Sequence, residues 1–183
     1  FNINKLLSDS SDITVVKTKS AAEIIKKNTG IRAKIIPDCI RYESFNPISK
    51  INYPLNIVWF GSNGNHDTLI FGLNEILSSN IDCKIKIITN KTAELQENLI
   101  KNKFQSLNYK IISFSDQSLT KEVCLSEIVI IPFINDYIRF VKSPNRIVDA
   151  LNFGRFVVMS KTKQYMDFEK YCYQGNIGSG LKW

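Results

Sequence analysis

The strongest constraint on this chain is a rhythm of short, apolar, β-branched runs, each followed by an amphipathic stretch. Leu55–Phe60 reads Leu-Asn-Ile-Val-Trp-Phe, residues 84–89 read Lys-Ile-Lys-Ile-Ile-Thr, residues 128–133 read Ile-Val-Ile-Ile-Pro-Phe, and residues 156–160 read Phe-Val-Val-Met-Ser. Strands this apolar are buried on both faces, and helical stretches between them imply parallel crossovers. The pattern predicts an α/β fold: an open, parallel, Rossmann-like sheet with helices on both faces and right-handed connections. At 183 residues and 44% hydrophobic content the chain can bury one sizeable core. Its longest apolar run, 128–134, is far short of the about twenty residues of a membrane-spanning helix.

In chain order, residues 14–17 read as a strand and Ser20-Ala21-Ala22-Glu23 has capping-box spacing, with Ser20 as N-cap of a helix ending near Gly30. Residues 33–36 form the next strand. From 41 to 54 the hydrophobic period disappears around Pro47 and Pro54, which reads as a linker. The pattern then restarts with the strand Leu55–Phe60, a polar loop at 61–65, and a helix over 69–77 with Leu69, Ile70, Leu73, Ile76 and Leu77 on one face. Strands are expected at 84–89, 109–114, 128–133 and 156–160, and helices at 93–104, 119–125 and 144–153. Two domains follow: 1–54 as the end of one domain plus linker, and 55–183 as a second.

The formal charge is +7, but among 24 basic residues only Arg32, Arg41, Arg139, Arg146 and Arg155 are arginines, and the charge is spread along the chain. Nucleic-acid recognition concentrates arginine and aromatics on one face, so no nucleic-acid partner is expected. Cys39, Cys83, Cys124 and Cys172 form no CxxC pair and His66 is the sole histidine, a pattern that fits neither a zinc site nor a disulfide framework. The expectation is buried free thiols in a reducing cytoplasm, with His66 in a surface loop and no metal. The sequence begins with Phe1 and shows no signal pattern, so it reads as a piece of a longer protein.

In open parallel sheets ligands bind beyond the carboxyl ends of the strands. That rule selects two loops. Gly61-Ser62-Asn63-Gly64-Asn65 follows the first strand past the linker, and its glycines permit close backbone approach. It is neither a GxGxxG fingerprint nor a Walker A loop, so a plain turn is an equal reading. In Lys142-Ser143-Pro144-Asn145-Arg146, Ser143 is a good N-cap and Pro144 suits the first helical position. Free amides, the helix dipole and the flanking cations Lys142 and Arg146 then converge on one point, a pattern suited to a diphosphate. Asp149, one turn on, is a carboxylate able to bind a ribose or sugar hydroxyl pair. A capped helix with solvated charges would have the same sequence.

The segment from Lys142 through Asp149-Ala150-Leu151-Asn152-Phe153-Gly154 to Arg155-Phe156-Val157-Val158 resembles the donor-site segment of GT-B glycosyltransferases. Ile35-Ile36-Pro37-Asp38-Cys39-Ile40 is similar to the segment that closes that family's acceptor domain. Phe45-Asn46-Pro47 resembles its linker, and residues 56–63 its first donor-domain strand and glycine loop. The resemblance covers nearly the whole chain from about Ile13 onward. It implies the C-terminal, nucleotide-sugar-binding half of a family-four-like enzyme, preceded by the last β-α-β piece of its acceptor half.

By that resemblance the reaction is glycosyl transfer of the hexosyltransferase type, from a nucleoside-diphosphate sugar to a glycan or lipid-linked acceptor, with no cofactor and no obligatory metal. Gly61, Ser62, Lys142, Ser143, Asn145 and Arg146 would hold the donor diphosphate, Asp149 the ribose or sugar, and Pro132 and Phe133 the base. Chemistry would depend on stabilising the departing diphosphate. Acceptor-side groups would lie in the missing N-terminal domain, so this fragment alone is expected to bind without turnover. A cytoplasmic setting, peripheral attachment of the full-length protein to the inner membrane face and a role in polysaccharide biosynthesis are further implications. One departure stands out. Retaining members of the group carry two glutamates eight positions apart here, and this chain has Val141 at the first and Asp149 at the second. That departure supports the alternative of a degenerate, non-catalytic Rossmann-like module with a binding or scaffold role.

Overall fold

The computed structural model describes residues 10–39, 47–48, 50–136 and 139–182. The linker motif Phe45-Asn46 lies outside the described residues. The chain divides into two compact units, one of residues 1–40 and 135–145, the other of residues 41–134 and 146–183. The division expected at 54/55 does not foresee that segment 135–145 clusters with the first forty residues.

In the first unit, β1 (Val15–Val16) pairs in parallel with β2 (Lys34–Ile35), and α1 (Lys19–Thr29) connects them. The N-cap is Thr18 and not Ser20. Thr18 has extended backbone, its Oγ1 accepts from the Ala21 amide at 3.1 Å, and the same hydroxyl donates to the Val141 carbonyl at 3.2 Å. Both residue types can cap, and this tertiary bond favours the earlier one. The helix stops at Gly30 as its sequence predicts, with φ of 79°.

The second unit is a parallel sheet of β3 (Leu55–Phe60), β4 (Cys83–Thr89), β5 (Asn108–Ser113), β6 (Ile128–Ile131), β7 (Phe156–Met159) and β8 (Tyr173–Gln174). Their spatial order is β5-β4-β3-β6-β7-β8. The connecting helices are α2 (His66–Ser79), α3 (Thr92–Lys101), α4 (Asp116–Cys124) and α5 (Asn145–Asn152), with the short α6 (Ile177–Gly180) at the end. This is the open parallel α/β sheet that the apolar rhythm predicts.

Alternate residues of β3 show why that strand is apolar at every position but Asn56. Leu55, Ile57 and Trp59 join one core layer with Leu69 and Leu73 of α2, Leu95 and Leu99 of α3, and Ile177 of α6. Val58 and Phe60 join the opposite layer with Leu119 and Val123 of α4 and Ile147 and Ala150 of α5. Each face has its own helices, so Ile57–Phe60 of the central strand are buried on both faces.

Several boundaries differ from expectation. β6 stops at Ile131, because Pro132 cannot donate to the ladder. Likewise, α3 ends at Lys101, and Phe104 sits in a separate 3₁₀ turn (Phe104–Ser106) after Lys103 with φ of 61°. β8 and α6 were not anticipated, since two strand residues and one helical turn show no period. Gly178 lets α6 approach α2 closely: a Cβ there would lie 2.5 Å from the Glu75 carbonyl. The Glu75 carboxylate in turn accepts from the Ile177 amide at 2.7 Å. His66 is no surface-loop residue; it opens α2 and is buried. Of the free cysteines, Cys83 and Cys172 are buried, Cys124 is half-buried and Cys39 is exposed, which corrects the expectation of four buried thiols.

Candidate functional site

Strand order fixes where ligands can bind. From β3 the chain steps outward to β4 and β5, then returns to lay β6 on the other side of β3. The carboxyl ends of β3 and β6 therefore flank the switch point of the sheet, where the loops part and leave a crevice.

The loop after β3 is held tightly. The Gly61 amide donates to the Ile88 carbonyl at 3.1 Å, the Asn65 amide to the Ser62 carbonyl at 2.9 Å, and the Asn63 amide to Asn90 Oδ1 at 2.7 Å. Asn90 Nδ2 returns a bond to Asn63 Oδ1 at 3.2 Å, and Ser62 Oγ accepts from Asn65 Nδ2 at 3.2 Å. These backbone donors of Gly61, Asn63 and Asn65 are already engaged within the protein. Gly61 is required by space: a Cβ would sit 2.8 Å from the buried Trp59 ring. That position would also be 3.6 Å from Arg146 Nη1.

Arg146, in the first turn of α5, extends back to this loop, and its Nη1 lies 3.5 Å from the Phe60 carbonyl at the end of β3. The structure thus brings Gly61 and Arg146 together at the switch point. Asp149 is half-buried one turn along α5. Beyond β6, Pro132 packs against α2, where a Cβ on Gly72 would come within 2.3 Å of the proline ring. The Phe133 amide donates to Ser160 Oγ at 3.0 Å, and its buried ring meets Tyr165 edge-on at 5.8 Å. Burial pushes the Tyr165 phenol up to about 12, against the opposing pull of the Arg146 charge.

His66 borders the same loop. Its Nε2 is 2.9 Å from Thr89 Oγ1 and its ring is tilted 53° against Trp59 at 6.3 Å. Burial lowers its basicity below that of an ordinary histidine, outweighing the pull of Glu94 and Asp67. A neutral ring here serves packing and a single hydrogen bond.

The remaining predicted site residues, Lys142, Ser143 and Asn145, belong to the first unit. There Asp38 collects three donors: Lys17 Nζ at 2.6 Å, Ser143 Oγ at 2.7 Å and Asn145 Nδ2 at 2.7 Å. These bonds, Lys17 first, hold the Asp38 carboxyl down at about 2. Two groups read as diphosphate donors thus rest on a carboxylate of the chain itself. Lys142 is half-buried, and its backbone amide donates to the Arg139 carbonyl at 3.1 Å.

Periodicity does not expose the role of Asp38, because two of its three partners, Ser143 and Asn145, lie more than a hundred positions away. Glu127 and Arg155 were also passed over as sites, although each is a charge placed directly before a fully apolar strand, a usable signal. Among the described residues no cluster of three or more His, Cys, Asp or Glu could hold a metal ion, and no helix is long and apolar enough to cross a membrane.

No family model and no curated protein matches the sequence. Solved structures are similar in fold. One is a mutant of S. aureus TarM in complex with fondaparinux, α-GlcNAc-glycerol and UDP: 11% identity, TM-score 0.67, 95% of this chain and 37% of that chain. A second is WaaG, a glycosyltransferase involved in lipopolysaccharide biosynthesis: 14% identity, TM-score 0.61, 84% of this chain and 45% of that chain. A third is OtsA in its apo form: 8% identity, TM-score 0.54, 82% of this chain and 43% of that chain. The chain spans less than half the length of these three structures. At such identities the likeness is one of fold, and the fold is GT-B glycosyltransferase-like.

Proposed function

We propose that this chain is the nucleotide-sugar-binding half of a GT-B glycosyltransferase, preceded by the end of its acceptor half at residues 1–54. The observation that carries the reading is the seat of Arg146. A guanidinium in the first turn of a helix lies on the glycine loop at the switch point of an open parallel sheet. A departing diphosphate develops negative charge, and a fixed cation beside a helix N-terminus stabilises it without reorganisation. The fold's likeness to glycosyltransferases, one of them solved with UDP, supports the same reading. Arg146 and Ser62 would hold the diphosphate at the loop after β3, and Asp149 the ribose or sugar. Pro132 and Phe133 would contribute to the base pocket through their backbone, since the Phe133 ring is committed to the core. The acceptor, a glycan or lipid-linked glycan, would meet this half only with the rest of the enzyme, at the inner face of a membrane in the cytoplasm. The reaction would need neither cofactor nor metal.

Calorimetric titration of the chain with UDP, GDP and the corresponding monophosphates, alongside Arg146→Ala, tests this reading. The expected result is diphosphate binding tighter than monophosphate binding and weakened about tenfold or more in the variant. Absence of binding by folded wild-type protein at millimolar nucleotide favours the second reading, a non-catalytic module. Val141 at the position of the family's first glutamate favours that reading too.

A further inference from the structure

The second unit carries a cavity of about 570 Å³ at the amino-terminal edge of the sheet, opposite the switch point. Its floor is the first residue of three strands, Leu55, Ile128 and Phe156, and its walls include Leu151 and Leu181. The size falls within the range of about 300–1,000 Å³ usual for small-molecule sites. The exposed Lys182, Tyr53 and Tyr171 line it, as do two buried charged groups, Glu127 and Arg155.

These two charges are in different states. Glu127 Oε2 accepts from the Asn56 amide at 2.7 Å, and Oε1 accepts from Asn56 Nδ2 at 3.2 Å and Asn52 Nδ2 at 3.3 Å. Arg155 is 8% exposed, and its Nε has no hydrogen-bond partner among the described residues. A guanidinium is costly to desolvate unless something accepts from it. Its planar fork matches a carboxylate, which can take two parallel N–H bonds.

We propose that this cavity binds a small apolar monocarboxylate of the medium-chain acyl type, its head on Arg155 and its chain against Leu55, Ile128, Leu151, Phe156 and Leu181. The occupant follows from the lining. Apolar walls are covered only by a hydrocarbon body, and among the described lining residues the buried side chain with a polar atom lacking a partner is the cation Arg155. A compact, doubly charged anion would leave the walls bare and would face the Glu127 charge. The site is separate from the carboxyl edge, so it stands or falls independently of donor binding.

The test is an amide-resolved NMR titration of the whole chain with octanoate, with 1-octanol and inorganic phosphate as comparison probes. Octanoate should give saturable shifts at Gly154, Gly180 and Leu181. Binding should weaken about tenfold for 1-octanol and for Arg155→Gln, with no saturable shift from phosphate. Ile51→Glu, at an exposed rim position, should weaken octanoate several-fold by charge repulsion while leaving the core intact. That variant decides the matter if Arg155→Gln does not fold. Equal affinity for 1-octanol, equal shifts from phosphate, shifts confined to the 61–65 loop, no saturable shift, or undiminished binding in the folded variants would each overturn the proposal.

Discussion

The two edges of the six-stranded sheet solve the same problem, ending apolar strands, by different means. At the carboxyl edge Gly61, Asn63, Asn65 and Asn90 close a tight loop through backbone and amide bonds, and Arg146 lies over its start. At the amino edge one residue, Glu127, bonds the strands on either side of β6 through its backbone and side chain. The Glu127 amide donates to Asn56 O of β3 at 2.9 Å, its carbonyl accepts from Phe156 of β7 at 3.3 Å, and its side chain caps the Asn56 amide. The first arrangement seats Arg146 beside a glycine loop, against the Phe60 carbonyl; the second engages its anion and leaves Arg155 over a cavity.

The largest effect should come from removing the amino-edge clamp. Glu127→Ala strips the acceptor from a part-buried backbone amide and from two side-chain amides, and should cost about 2–3 kcal/mol in chemical denaturation. A loss below about 0.5 kcal/mol would show that Glu127 is not a clamp. At the carboxyl edge, Gly61→Ala drives a methyl into the Trp59 ring and should cost about 1–3 kcal/mol, while altering Trp59 fluorescence.

Smaller effects should appear as pH dependence. His66 binds its proton less readily when folded than the ordinary 6.5, so the unfolded chain takes up more protons as pH falls below that value. Stability should therefore decline from pH 6.5 downward until the folded histidine titrates, and His66→Asn should remove that slope. Asp38 has the usual carboxylate sign. Its contribution is complete above 3.8 and is lost as pH falls through about 2, so Asp38→Asn should flatten the acid limb between those values. The Asp38 effect should be the smallest, because its main partner, the Lys17 ammonium, is exposed and solvent screens the pair.

Local pattern alone determined the α/β class, the parallel sense of the strands and most element positions, while their spatial order came from the tertiary structure. The runs at Leu55–Phe60 and 128–131 are too apolar for one-sided burial, and Gly30 and Pro132 stop their elements by backbone geometry. The resemblance at 142–158 pointed to the GT-B-like fold that the structural neighbours display. Tertiary structure decided the rest. Thr18 prevails over Ser20 as a cap because Val141, distant in sequence, accepts its hydroxyl. Burial lowers the basicity of His66 beside the Thr89 hydroxyl, and Ser143 and Asn145 are drawn to Asp38. Burial and hydrogen bonding between residues far apart in the chain have no period in the sequence, so only the packed structure distinguishes an engaged charge such as Glu127 from an unsatisfied one such as Arg155.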